Sequence, residues 1–570
     1  MTSTTASPDL YPALLTLRDT LRQAPLDLDV PDATAERRAR TEMVDQLDDY
    51  VIPRVVQVDA PLLAVVGGST GAGKSTLVNS LVGRPVSRAG VLRPTTRSPV
   101  LVHHPDDGHW FGPDRILPDL ARTSAPSTDV GALHLVASPA MPAGLALLDA
   151  PDVDSVERAN RTLATQLLAA ADLWLFTTSA ARYADQVPWG FLQTAAERSA
   201  AVAIVLDRTA PAAVAEIRAH LQQMLADHGL SDARLFAVPE SPVDADGLLP
   251  REVVAEIRAW LGDIASDATA RADIIQQTLS GALRQLAHRG AELADAVEEQ
   301  ERTTEQLRGD VIEAYAQAVT EVGRSTGDGT LLRGEVLARW QEFVGAGELT
   351  RKLELRVGRL RDWVLAAVRG REAPAAPVEQ AVQHGLHTML VEQAESAAER
   401  AEARWATSTA GRSLLAQAPR LGRASRGLGE QAEQAVRDWQ AAIVDLVRKE
   451  GADKRSTARV LAYGINALGV ALMVVVFVHT AGLTGGEAGV AGGTALLAQK
   501  VLEAVFGDQA VRLLAARAHA DLVARSEVLL TAERDRFLTL LDAHAGAPGS
   551  AQLLRGAVQR LDAARQQATT

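Results

Sequence analysis

Apolar positions change their spacing along the chain. Residues 9–23 and 34–51 repeat them at helical intervals and predict two amphipathic helices. Leu62-Leu63-Ala64-Val65-Val66 is an unbroken apolar run, which suits a strand buried on both faces. Similar runs recur at Leu145–Leu148, Leu173–Phe176 and Ala201–Leu206, with helical stretches such as 155–171 and 187–199 between them. This alternation predicts a mostly parallel α/β sheet with helices on both faces. From about residue 250 the pattern is helical throughout. Val253, Ile257, Trp260, Leu261 and Ile264 fall on one face, and 251–325, 331–371, 378–406 and 428–450 favour helix by composition.

Proline sharpens the division. Of 25 prolines, 21 lie in residues 1–250, and residues 251–373 and 420–547 have none. Proline breaks helix interiors, so long helices fit the second half. The string Ala373-Pro374-Ala375-Ala376-Pro377 marks a break there, and no repeat of 20–50 residues is visible.

Composition narrows the function classes. The 570 residues are 47% hydrophobic and 23% charged, which excludes wholesale disorder. Aromatics are only 4% and net charge is −13, so base-stacking platforms and a phosphate-coating surface are scarce and no nucleic-acid partner is expected. With no cysteine, disulfides and thiolate metal sites are impossible, which fits a reducing compartment. Residues 1–30 show no basic stretch followed by an apolar run, so no signal peptide is expected.

The strongest chemical signal is Gly68-Ser69-Thr70-Gly71-Ala72-Gly73-Lys74-Ser75, a G-x-x-x-x-G-K-[ST] phosphate loop between a predicted strand and a predicted helix. Gly68, Ser69, Gly71, Ala72, Gly73, Lys74, Ser75 and Thr76 are the candidate phosphate-binding residues. Backbone N–H groups and the helix N-terminus favour anions. Lys74 would bridge the β- and γ-phosphates, and Ser75 would ligate Mg²⁺. The chain has five lysines against 53 arginines, and Lys74 is the only lysine in the first 350 residues. A compact ammonium is retained where arginine's planar fork would not fit.

About twenty residues downstream comes Arg93-Pro94-Thr95-Thr96-Arg97-Ser98-Pro99, from which a threonine can reach Mg²⁺ and the γ-phosphate. Leu147-Leu148-Asp149-Ala150-Pro151-Asp152 then ends a strand on Asp149, a candidate Mg²⁺ ligand through water. In order and spacing these segments resemble the bacterial dynamin-like branch of the P-loop GTPases. The resemblance implies a Mg²⁺-dependent GTPase (GTP and GDP as ligands) on a helical neck and stalk with a hydrophobic tip. It further implies homodimers or homo-oligomers formed through the GTPase domain, with a related GTPase as a possible partner. Thr96 takes the family's Mg²⁺-binding position, and with Lys74 and Thr70 makes the candidate catalytic set. The resemblance also brings departures. Thr70-Gly71 stands where dynamins carry Gln-Ser, and Asp152 replaces the switch II glycine. At the base-reading motif stand Asp207-Arg208-Thr209-Ala210. Arg208 is suited to stacking on the base, but Ala210 supplies no carboxylate. The choice between GTP and ATP therefore stays open on residues alone. Leu235–Ser241 is either the last base-contacting loop or an ordinary strand and turn. A rival reading is an ABC-type ATPase, with a poor signature-loop echo at Leu279-Ser280-Gly281-Ala282.

Residues 460–486 carry no charge, and Lys454, Arg455 and Arg459 flank their N-terminal side. With a weaker apolar stretch at 488–506, this reads either as a membrane-contacting hairpin or as a buried helical core; the hairpin is the favoured expectation. Arg404, Arg412, Arg420, Arg423 and Arg426 suit either anionic lipid or intramolecular acids. The second basic cluster, between Arg351 and Arg371, reads as a salt-bridged helix face, and His103-His104 as a structural turn. The expected organisation is N-terminal helices joining the stalk (1–58), a GTPase domain (59–250), a helical neck and stalk (251–455), a hydrophobic hairpin (456–507), and C-terminal helices packing back (508–570). The expected location is the cytoplasmic face of the membrane. A nucleotide-gated membrane scaffold with little turnover is the non-enzymatic alternative.

Overall fold

All four apolar runs become strands of one sheet in the computed structural model. It describes residues 9–328 except 58, 89–97, 114, 128, 156 and 198–199. It also describes 336, 338, 339 and 342, and 376–569 except 453–456, 458–459, 461–463 and 478–489. The strands are β1 (Leu62–Gly68), β2 (Val100–His103), β3 (Ala121–Thr123), β4 (Ala132–Ala137), β5 (Leu145–Asp149), β6 (Leu173–Ser179), β7 (Ala201–Thr209) and β8 (Arg234–Pro239). Their order is β3-β4-β2-β5-β1-β6-β7-β8, and every pairing is parallel except β2 with β5.

Both faces of this sheet are covered, which is why its strands read as continuous apolar runs. On one face Leu63, Val65, Leu148, Trp174, Phe176 and Leu206 join the first core cluster. It includes α5 (Arg158–Ala169), α6 (Gln186–Glu197) and α7 (Val214–Asp227). On the other, Leu62, Ala64, Val66, Leu147 and Val205 pack with α4 (Lys74–Val82) and α8 (Ala255–Ser266). The N-terminal helices α1 (Leu10–Gln23), α2 (Ala33–Gln46) and α3 (Ile52–Val56) belong to the same compact unit, with a π-helical turn at Leu47–Val51. A buried polar hub fixes them to the sheet. Asp172, just before β6, accepts from Tyr50 Oη at 3.1 Å and Leu63 N at 2.7 Å, and pairs with the buried Arg54.

The chain divides into two compact units. The first holds residues 1–26, 32–299 and 546–570; the second holds 27–31 and 300–545. The 60-residue helix α9 (Ala268–Gly327) contributes to both. In the first unit the C-terminal helix packs on α1, and Arg555 pairs with Asp295 at 2.6 Å.

In the second unit the later helices are α10 (Ala376–Trp405), α11 (Thr409–Gln417), α12 (Leu428–Glu450), α13 (Ile465–Val476), α14 (Val490–Phe506) and α15 (Asp508–Asp542). The remaining helix, α16 (Ser550–Thr569), is the C-terminal one of the first unit. Buried tryptophans tie the second unit together. Trp405 Nε1 donates to Leu307 O at 2.9 Å, and Trp439 Nε1 to Ala518 O at 2.8 Å.

One expectation is corrected here, and one open reading is narrowed. The favoured membrane hairpin was expected to include a membrane-spanning helix. Instead α13 has 12 residues, about 18 Å of helix against the roughly 30 Å of a bilayer core. Its Leu468–Phe477 are buried, and it packs with α12, α14 and α15. None of the described helices is long and apolar enough to cross a membrane. The expected turn of the hairpin, with Lys454, Arg455 and Arg459, lies outside the described residues. The basic stretch, read as equally suited to lipid or to internal acids, takes the internal option at two positions. Arg404 pairs with Glu313 at 2.8 Å and Arg423 with Glu399 at 2.9 Å. Residues 351–371 are outside the described set.

Candidate functional site

The site forms where the central strand β1 ends and α4 begins. Gly68 closes the strand at φ 139°, and a Cβ there would meet Thr177 O at 1.9 Å. The loop then turns back into the helix through Gly73, at φ 93°. A Cβ on Gly73 would meet Asp207 Oδ2 at 2.0 Å, so only glycine admits this approach. The same contact brings the loop after β7 against the phosphate loop.

Lys74, the first residue of α4, is 6% exposed. Its Nζ donates to Gly68 O at 3.0 Å and Ser69 O at 3.1 Å, and pairs with Asp152. Ser75 Oγ donates to Asp149 Oδ2 at 2.7 Å, and Ser87 Oγ donates to the same oxygen. Asp149 Oδ1 is buried and has no partner. Burial pushes the Asp149 carboxyl above the usual range, against the hydroxyls of Ser87 and Ser75 and the charge of Lys74. A divalent cation beside Oδ1 and the Ser75 hydroxyl would satisfy that oxygen and favour the carboxylate's ionised form. These donors therefore fit Mg²⁺.

Thr70 is tied to the segment that follows β5. Its amide and its Oγ1 both donate to Asp154 Oδ1 at 2.6 Å, and Asp154 Oδ2 pairs with Arg182 at 2.7 Å. Ser69 and Ala72 are fully buried within the loop.

At the end of β7, Arg208 adopts φ 53°, unusual for a non-glycine residue, beside a register slip between Leu206 and Thr209. Asp207 Oδ1 accepts from Arg208 N at 2.8 Å. Burial pushes Asp207 up to about 6, opposed by Arg208 and assisted by Glu240.

The structure thus gathers Gly68–Ser75, Asp149, Asp207 and Arg208 around one loop. Thr96 lies outside the described residues, with the rest of 89–97. Leu279–Ala282 sits inside α9, not at a helix start where a signature loop would bind phosphate. Ser87, Asp154 and Arg182 were not picked out from the sequence. The available signal was the run of acids at Asp149, Asp152 and Asp154 on one strand exit.

No family model and no curated protein matches the chain. Solved structures do. One is described as an oligomerised bacterial dynamin pair for long-range sensing and tethering of membranes. It is 9% identical, with a TM-score of 0.38, over 93% of this chain and 95% of that one. The LeoA bacterial dynamin GTPase from ETEC is 12% identical, with a TM-score of 0.22, over 97% of each chain. Over nearly its whole length the chain is thus similar to these two solved bacterial dynamin structures.

Proposed function

We propose that this chain binds and hydrolyses GTP with Mg²⁺. The observation that carries the reading is the convergence of Lys74, Ser75 and Asp149 at the junction of β1 and α4, with Asp149 Oδ1 left unpartnered. Lys74 places a positive charge at the loop, where negative charge gathers on a transferred phosphoryl group. The backbone N–H groups before α4 orient the phosphates. Ser75 and Asp149, joined by Thr96 from the preceding segment, would hold Mg²⁺. Held there, Mg²⁺ would supply positive charge against the phosphates. For the phosphates to reach Lys74, its pairing with Asp152 must give way.

In this reading, turnover is coupled to self-association and to membrane contact. Support for the membrane half is the charge-free run 460–486 with its flanking Lys454, Arg455 and Arg459. The burial of Leu468–Phe477 requires α13 to part from its neighbours before it meets lipid. A second reading, a nucleotide-gated scaffold with little turnover, is favoured by Thr70 and its engagement with Asp154.

The test is GTP turnover by the purified chain, with and without anionic liposomes, against Lys74→Ala. Turnover that Lys74→Ala leaves unchanged would remove the phosphate-loop mechanism. Stimulation by liposomes would support membrane coupling; indifference to them would leave α13 as core. Tight binding without turnover would select the scaffold.

A further inference from the structure

The residue that should read the base is missing from its usual place, since Ala210 has no carboxylate. We propose that Glu240, from the loop after β8, supplies it and makes the site select guanine. This rests on the GTP-binding reading above and names the residue that sets its specificity.

Three observations gather Glu240, Asp207 and Arg208 beside the phosphate loop. The Glu240 amide donates to Thr209 O at 3.0 Å, which ties the loop after β8 to the loop after β7. Glu240 is exposed, and its charge reaches Asp207, whose Oδ2 faces Gly73 of the phosphate loop. Arg208 Nε lies 3.8 Å from where a Gly73 Cβ would sit, so the guanidinium flanks the same loop. Its positive φ and the adjacent register slip mark a backbone shaped for that approach.

The nearby acids are engaged otherwise. Asp207 is 4% exposed and accepts from Arg208 N. Asp244 Oδ1 accepts from Asp246 N and Leu248 N, closing its own turn. Of these three described acids, Glu240 is the exposed carboxylate for which no such engagement is seen. Guanine presents two donors on one edge, N1–H and the 2-amino group, and a carboxylate accepts both. Adenine presents an acceptor at N1 and a C–H at C2, so a carboxylate there is repelled. Arg208 offers a planar cationic face for either base and so gives affinity, while Glu240 gives the choice.

The test is calorimetric titration of the full chain with Mg²⁺ and GTP, ATP or xanthosine triphosphate. Wild type should bind GTP over ATP by about 10- to 100-fold, the value of one or two charge-assisted hydrogen bonds. Glu240→Gln should lose GTP affinity and gain xanthosine triphosphate affinity, because xanthine pairs N1–H with a carbonyl that an amide can satisfy. Glu240→Ala should lose GTP affinity without that gain. Equal binding of GTP and ATP by wild type, or GTP preference retained in Glu240→Gln, overturns the assignment while leaving the phosphate site intact. GTP binding that Lys74→Ala does not weaken overturns the phosphate-site reading and this assignment with it.

Discussion

One oxygen of Asp154 accepts from both the amide and the hydroxyl of Thr70, each at 2.6 Å, while its other oxygen pairs with Arg182. The Thr70 amide belongs to the set a phosphate would use, so on the proposed reading this carboxylate would compete with nucleotide. Asp154→Ala should tighten binding of a non-hydrolysable GTP analogue by about tenfold, the worth of one charge-assisted hydrogen bond. Weaker binding would mean instead that Asp154 holds the loop in its receptive shape.

Lys74→Ala removes the one ammonium in the loop. Turnover should fall by about 100-fold or more, in line with losing a charge that stabilises a transition state. Steady-state phosphate release, with circular dichroism to confirm folding, measures it.

Asp49 carries a pH signature. One of its oxygens accepts from Gln166 Nε2 at 2.8 Å and the other is buried without a partner. Burial, with Asp45, Asp119 and Asp48 nearby, pushes it from 3.8 up to about 7. The folded chain thus holds this proton more tightly than the unfolded one. That stabilisation is present below about pH 4 and lost as pH rises through about 7. Asp49→Asn should be more stable than wild type at pH 8, by about 2–4 kcal/mol, and no more stable near pH 4. Denaturant titrations at the two pH values decide it.

The Arg54–Asp172 pair is buried on both sides, at 3% and 0% exposure. Asp172→Ala strands the guanidinium and should cost about 3–5 kcal/mol. A double change, Arg54→Met with Asp172→Leu, should recover much of that loss in thermal melting.

Leu472 lies in the buried face of α13. Leu472→Ala should destabilise the helical unit by about 2–5 kcal/mol through a cavity. An unchanged melting profile would mean that α13 is not core in solution.

The sheet was readable because both its faces are covered, so Leu62–Val66 and its parallel neighbours show no polar interruptions. Lys74, Ser75 and Asp149 were readable because the loop motif and a strand-ending aspartate fix their places. Arg182 was not, because its pairing with Asp154 depends on β1 lying between β5 and β6, which no local pattern encodes. The apolar run at 460–478 was ambiguous for a different reason. A bilayer and the faces of α12 and α15 satisfy the same hydrophobic demand, and one sequence does not say which is available.

Asp152 at Lys74 and Asp154 at Thr70 also bear on how nucleotide leaves. On the proposed reading, departing phosphates would hand their contacts to carboxylates already in the chain, and dissociation would be the replacement of one anion by another. In the structure the charge of Lys74 is matched by Asp152.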